Sequence, residues 1–182
     1  MFDPASSPKW IQKKDFPGGV RDAGITFTLN NVGYAGAGFD GSAVHDDIWK
    51  YNDAKDMWTK VANPLPTPLI FSASFVTNGK AFVLSGGTPP SGVNETPNMW
   101  EFDAASESWT LSAPFPGASR QAAFAFGNDA YGYLGGGMAG YSVTYNDMWQ
   151  FDPVNKKWQQ VQNAPLIGSA WASVFASGNT AY

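Results

Sequence analysis

A pair of tryptophans nine residues apart is stamped three times along this chain: Trp49 and Trp58, Trp100 and Trp109, Trp149 and Trp158. The copies recur at steps of 51 and 49 residues, and a half-copy at Trp10 lies 48 residues before Trp58. Random composition does not set bulky aromatics in phase. A period near 50 residues means one supersecondary unit copied along the chain, each copy burying its apolar faces against its neighbours.

Around the tryptophans every unit repeats the same phrases. An apolar run comes first, at 25–29, 71–76 and 122–126, and an Asn- or Gly-bearing hairpin turn follows it: Asn30-Asn31, Asn78-Gly79, Gly127-Asn128-Asp129. A second strand then ends in small residues, read as Gly36 with Gly38, the pair Gly86-Gly87, and Gly135-Gly136-Gly137. Small residues there let a neighbouring backbone approach closely. A loop of variable length leads to a third strand holding the first Trp, with Tyr51, Phe102 or Phe151 two positions on and therefore on the same face. An Asx-rich turn precedes the second Trp and the fourth strand, and prolines mark each exit (Pro64 and Pro66, Pro114 and Pro116, Pro165). Four short antiparallel strands per repeat describe a β-propeller blade.

Composition narrows the remaining classes. With 182 residues and 28 aromatics, 20 glycines and 13 prolines, the chain favours short strands over long helices. Net charge is −4 with no basic run, so nucleic acid is not an expected partner. The absence of cysteine excludes disulfides, thiolate metal sites and thiol catalysis. No run approaches the ~20 apolar residues of a membrane-spanning helix, and Met1-Phe2-Asp3-Pro4 does not open a signal peptide. The Asn-, Gly-, Ser- and Thr-rich composition suits an exported bacterial protein. Extracellular or cell-surface placement is the expectation, with the cytoplasm as the alternative.

The period, the glycines, and the aromatic pair followed by Asp and a second Trp resemble kelch repeats, the propeller architecture shared by the central domain of galactose oxidase. The resemblance implies an all-β kelch-type propeller with blades at 20–68, 69–118 and 119–168. Residues 1–19 match only the end of a preceding blade and 169–182 only the start of a further one. The expectation is a segment of a larger propeller, its further blades supplied by the rest of a longer chain. Sharing of one blade by the two ends, or self-association, are the alternatives. Galactose oxidase's cysteine-linked tyrosine cofactor is impossible here, and no cofactor is expected.

Candidate site residues fall on loops and strand openings. Arg21 and Arg120 open first strands, the position from which arginines of kelch adaptors take ligand carboxylates; as an alternative they bridge adjacent blades. Aligning Tyr182 with Tyr131 puts Trp171 in this arginine slot, and Phe71 takes it in the second unit. The loops at 39–46, 88–98 and 138–146 contribute His45, Asp46, Asn98, Tyr141 and Tyr145. Asp40, His45, Asp46 and Asp47 are close enough in sequence to consider a divalent ion, but Asx turn chemistry is the preferred explanation and no metal is expected. Gly36 to Gly41 fits the dinucleotide pattern GxGxxG, yet no helical periodicity follows it. The tryptophans themselves are read as blade packing.

No triad, phosphate loop or metal cluster is present. The expected function is therefore a noncatalytic recognition scaffold presenting its loops to a protein or carbohydrate ligand, an enzyme being the less favoured reading. The alternative is a sugar mutarotase or epimerase of the sialic acid mutarotase type, a resemblance for which Arg21, Arg120 and Glu95 are the available ingredients.

Overall fold

The two-residue alternation of each apolar run makes it a strand with one face toward each neighbouring sheet. A computed structural model describes residues 2–3, 7–89, 94–165, 168–177 and 180–181. The strands are Phe2–Asp3 (β1), Ser7–Trp10 (β2), Ile25–Leu29 (β3), Val32–Gly36 (β4), Ile48–Asn52 (β5) and Met57–Lys60 (β6). The chain continues with Ala73–Thr77 (β7), Lys80–Leu84 (β8), Gly87–Thr88 (β9), Asn94–Glu95 (β10), Met99–Asp103 (β11) and Ser108–Leu111 (β12). Then come Phe124–Gly127 (β13), Gly132–Gly135 (β14), Met138–Ala139 (β15), Val143–Thr144 (β16), Met148–Asp152 (β17) and Lys157–Val161 (β18). Ala176–Ser177 (β19) and Thr180–Ala181 (β20) end the series.

Three four-stranded antiparallel sheets result, ordered β3-β4-β5-β6, β7-β8-β11-β12 and β13-β14-β17-β18. Two-stranded pairs β1-β2 and β19-β20 flank them. The first strand β7 touches both β3 and β13, so the first strands form the inner edge of the stack. These are blades of a β-propeller. The turn chemistry is as read: Asn30 and Asn31 both adopt positive φ (54° and 61°), as do Asn78 and Gly79 (49° and 68°), the geometry a two-residue hairpin needs. In the third blade Asn128 Oδ1 instead accepts from the backbone N–H of Ala130 and Tyr131.

The core lies between blades. On β8, Ala81 and Val83 face the first blade while Phe82 and Leu84 face the third, all four fully buried. Cross-strand aromatic pairs recur at matching register: Phe27 on Tyr34, Phe75 on Phe82 and Phe126 on Tyr133, each stacked with centroids 4.8–5.1 Å apart. The next blade's third strand drops an aromatic onto the pair, Phe102 on Tyr34 at 5.4 Å and Phe151 on Phe82 at 5.3 Å. Each such ring contributes about 1.5–3 kcal/mol by burial.

The second tryptophan of each repeat has a further task. Its indole N–H donates to the exit segment of the preceding blade: Trp58 to Lys14 O, Trp109 to Asn63 O and Trp158 to Ala113 O, at 3.1–3.4 Å. The sequence period is thus a physical staple between successive blades.

Candidate functional site

The first tryptophan of the first and third blades heads a buried polar relay. Trp49 Nε1–H donates to Asp47 Oδ2 and Trp149 Nε1–H to Asp147 Oδ2, both at 2.7 Å. The same carboxylates receive Arg21 and Arg120, whose Nη1–Oδ1 distances are 2.5 Å. Arg21 also donates to Gly18 O and Ala37 O. Arg120 donates to Ala118 O and Gly136 O, and its guanidinium lies over Phe115 and Tyr145, 4.9 and 4.2 Å from the ring centroids. Burial raises the carboxyl pKa of Asp47 and Asp147, but the arginine and indole hydrogen bonds and the guanidinium charge outweigh it, leaving both lowered. These two arginines therefore point inward and bind protein carboxylates, clamping the incoming segment to the small-residue turn and third strand of its blade.

The second blade solves the same position without charge. Leu69 stands for the arginine and Asn98 for the aspartate, while Trp100 Nε1–H is buried with no acceptor among the described residues. Hydrogen bonds set this register: Gly38 N–H donates to Leu69 O, Gly86 N–H to Arg120 O and Gly137 N–H to Ser169 O. The alignment expected for Phe71 and Trp171 is thus corrected, since both lie two residues beyond the arginine slot, which Leu69 and Ser169 fill. Tyr182, on which that alignment leaned, lies outside the described residues.

A second correction concerns the glycines. Gly38, Gly86 and Gly137 are the equivalent residues, with φ of 86°, 90° and 87°. A Cβ on Gly86 would come within 2.7 Å of Ile70 O, and one on Gly137 within 2.9 Å of Gln121 O. Ala37, Ser85 and Gly136 precede them, also at positive φ. Gly87 corresponds instead to Phe39 and Met138, as the bridges Asp22–Phe39, Ile70–Gly87 and Gln121–Met138 show. The pairing Gly86-Gly87 is therefore displaced by one from the glycines of the other units. Phe39 sits in such a bridge, so the run from Gly36 to Gly41 opens no helix.

At the openings of the first strands lies a feature that periodicity alone did not expose. Phe71 N–H donates to Ala23 O, Ala122 N–H to Phe71 O and Trp171 N–H to Ala122 O, at 2.8–3.1 Å. All four residues adopt left-handed backbone, φ between 53° and 64°. This belt runs from blade to blade along the inner edge. Phe71 and Trp171 meet edge to face across it with centroids 4.5 Å apart.

The loop residues gather on the same face, because the bridges tie the segments preceding the first strands to the loops after the second. His45 Nε2 and Asp40 Oδ2 are 2.8 Å apart on the first loop. Asp40, also bound by the Ala43 and Ser42 N–H groups, is pulled down to about 2, with backbone bonding from Ala43 the largest cause and His45 next. Asp46 joins through its backbone, its carbonyl accepting from Leu65 N–H at 2.8 Å. Asn98 N–H donates to Thr96 Oγ1 at 3.1 Å, and residues 90–93 of that loop lie outside the described residues. Tyr145 is spent on Arg120, whereas Tyr141 is exposed at positive φ. Glu95 ties two loops together, its Oε1 accepting from Gly140 N–H at 2.9 Å. Gln121 is a further residue the sequence did not single out: fully buried beside the belt, with both side-chain amide atoms lacking a partner among the described residues.

Fold and site together define the class: a segment of β-propeller whose strand openings and inter-strand loops share one face, with two aromatic rings at the inner edge. No family model matches the chain. It is similar to the N-acetylneuraminate epimerase of Escherichia coli K12, 28% identical over 181 residues, covering 96% of this chain and 44% of that protein. The same identity and coverage hold for the protein of that name from Shigella boydii serotype 4 and for N-acetylneuraminate epimerase 2 of Escherichia coli O6:H1. The solved structure of YjhT superposes with a TM-score of 0.78 at 20% identity, covering 92% of this chain and 59% of that one. The chain thus spans less than half the length of the curated relatives it matches. These relatives overturn the expectation of a noncatalytic scaffold, because the proteins it resembles along nearly its whole length are named as sugar epimerases. That expectation leaned on the lack of a compact catalytic motif, whereas function resides in sites grafted on a fold.

Proposed function

We propose that this chain is part of a kelch-type propeller that acts as a sugar epimerase or mutarotase on a sialic acid-type substrate. The observation carrying this reading is the similarity to proteins named N-acetylneuraminate epimerase over 96% of the chain. The loop-bearing face supports it by carrying both the ring pair of Phe71 and Trp171 and the segment of Glu95, which pairs with Gly87 as Gly87 does with Ile70. Interconversion at an anomeric carbon breaks and remakes one bond with no net gain or loss: a proton leaves the anomeric hydroxyl as its oxygen forms the carbonyl, the bond from the anomeric carbon to the ring oxygen breaks, and the ring oxygen takes up a proton. The ring opens, the carbonyl rotates, and closure reverses both transfers. Among the described residues we assign the proton-moving carboxylate to Glu95. One of its oxygens is held by Gly140 N–H, which orients the other.

Exchange NMR of N-acetylneuraminic acid tests this. The protein should accelerate exchange between the two anomers above the buffer rate, and Glu95→Gln should slow it by roughly a hundredfold. No acceleration by the protein would overturn the reading.

A further inference from the structure

We propose that Phe71 and Trp171 form a stacking platform for the apolar face of a pyranose ring at the inner edge of the propeller. The choice of a sugar as occupant rests on the function proposed above; the platform rests on geometry. The four belt residues alternate small and large: Ala23, Phe71, Ala122, Trp171. Their backbones are joined in that order, so the two rings come from blades on either side of the one that holds Ala122. They meet with centroids 4.5 Å apart and planes at 87°. A gap bridged by two large rings, with alanine between them, makes a corner with one ring as floor and the other as wall.

Two further observations point to use of this corner. Left-handed backbone is rare for bulky side chains, yet Phe71 and Trp171 adopt φ of 54° and 64°. Such conformations persist where surrounding structure enforces them and cluster at ligand sites. Moreover, the Trp171 ring is held edge to face by Phe71 and belongs to neither of the interblade core clusters of the described residues. The π face is electron-rich and the axial C–H groups of a pyranose are electron-poor, so the two attract when stacked.

The chain supplies its own control. Alanine already occupies this backbone position at 23 and 122 with φ of 53°, so Phe71→Ala and Trp171→Ala keep a conformation the fold accepts. Saturation-transfer NMR and tryptophan fluorescence titration would be run with N-acetylneuraminic acid and with its methyl glycoside, which cannot interconvert. We expect saturation concentrated on the protons of one sugar face. Trp171→Ala should weaken both ligands about tenfold or more, as should Phe71→Ala to a lesser degree, while Trp171→Tyr restores most binding. Thermal unfolding of each variant should match the parent within a few degrees. Unchanged affinity in a folded Trp171→Ala protein would overturn the platform, even if anomer exchange were accelerated as before. Trp171-dependent binding of the methyl glycoside without any acceleration of anomer exchange would sustain the platform and overturn the epimerase reading instead. No binding of either sugar would overturn the platform outright.

Discussion

Arg120 and Asp147 are joined by two parallel hydrogen bonds, Nη1 to Oδ1 at 2.5 Å and Nη2 to Oδ2 at 2.9 Å, with the guanidinium side chain only 1% exposed. A planar fork on a planar carboxylate fixes both partners in angle as well as distance. Because the arginine also holds Ala118 O and Gly136 O, it fastens three segments of the third blade at one point. Removing it alone leaves a part-buried carboxylate uncompensated. Arg120→Leu should therefore destabilise by about 3–5 kcal/mol, read as a lowered urea midpoint at unchanged slope. Adding Asp147→Asn, which copies the Leu69–Asn98 arrangement of the second blade, should recover part of that loss.

The same pairs predict acid sensitivity. Asp47 and Asp147 have folded-state pKa values below the ordinary 3.8. A depressed carboxyl pKa adds stability above the unfolded value, and that stability disappears as pH falls through the folded one. Unfolding temperature should thus hold steady above about pH 5 and fall progressively from near pH 4 downward. In the double variant Asp47→Asn with Asp147→Asn that fall should be shallower, with a lower plateau at neutral pH.

Gly86 and Gly87 are neighbours in sequence with opposite tolerances. Gly86→Ala places a Cβ 2.7 Å from Ile70 O at φ +90°, and should cost at least about 1–3 kcal/mol. Gly87→Ala should be nearly neutral, because Phe39 and Met138 carry side chains at the corresponding position. Equal losses from the two substitutions would contradict the blade register described here.

Trp109→Phe keeps an aromatic in the interblade contact but deletes the bond from Nε1–H to Asn63 O at 3.3 Å. About 1 kcal/mol should be lost, and hydrogen exchange should quicken near Asn63 rather than throughout the blade.

Gln121→Met tests the opposite sign. An amide buried with both ends unpaired among the described residues carries a desolvation penalty, so a side chain of similar length without polar N or O should raise stability by about 1 kcal/mol. A lower melting temperature would mean that Gln121 holds a bound partner.

Much of the fold was legible in the chain because its signals are local. Asn30-Asn31 and Asn78-Gly79 specify hairpins within two residues, and the phase of the tryptophans reports blades whose faces bury alternating side chains such as Ala81, Phe82, Val83 and Leu84. The candidate site was less legible. Arg21 and Arg120 are conspicuous as charges, but nothing local says that Asp47 and Asp147, 26 and 27 residues on, turn them inward. Phe71 and Trp171, 100 residues apart, read as equivalent to each other but in the arginine slot, and nothing local says that their rings meet.

By itself the sequence determined the repeat, the antiparallel blade and the aromatic packing between blades, since each follows from spacing along a strand or across a tight turn. Only the tertiary structure decided which residues share a position around the inner edge: Leu69 with the arginines, Phe71 and Trp171 with the alanines. Those equivalences depend on backbone hydrogen bonds between separate blades, and a one- or two-residue slip there leaves the local pattern of apolar and polar residues almost unchanged.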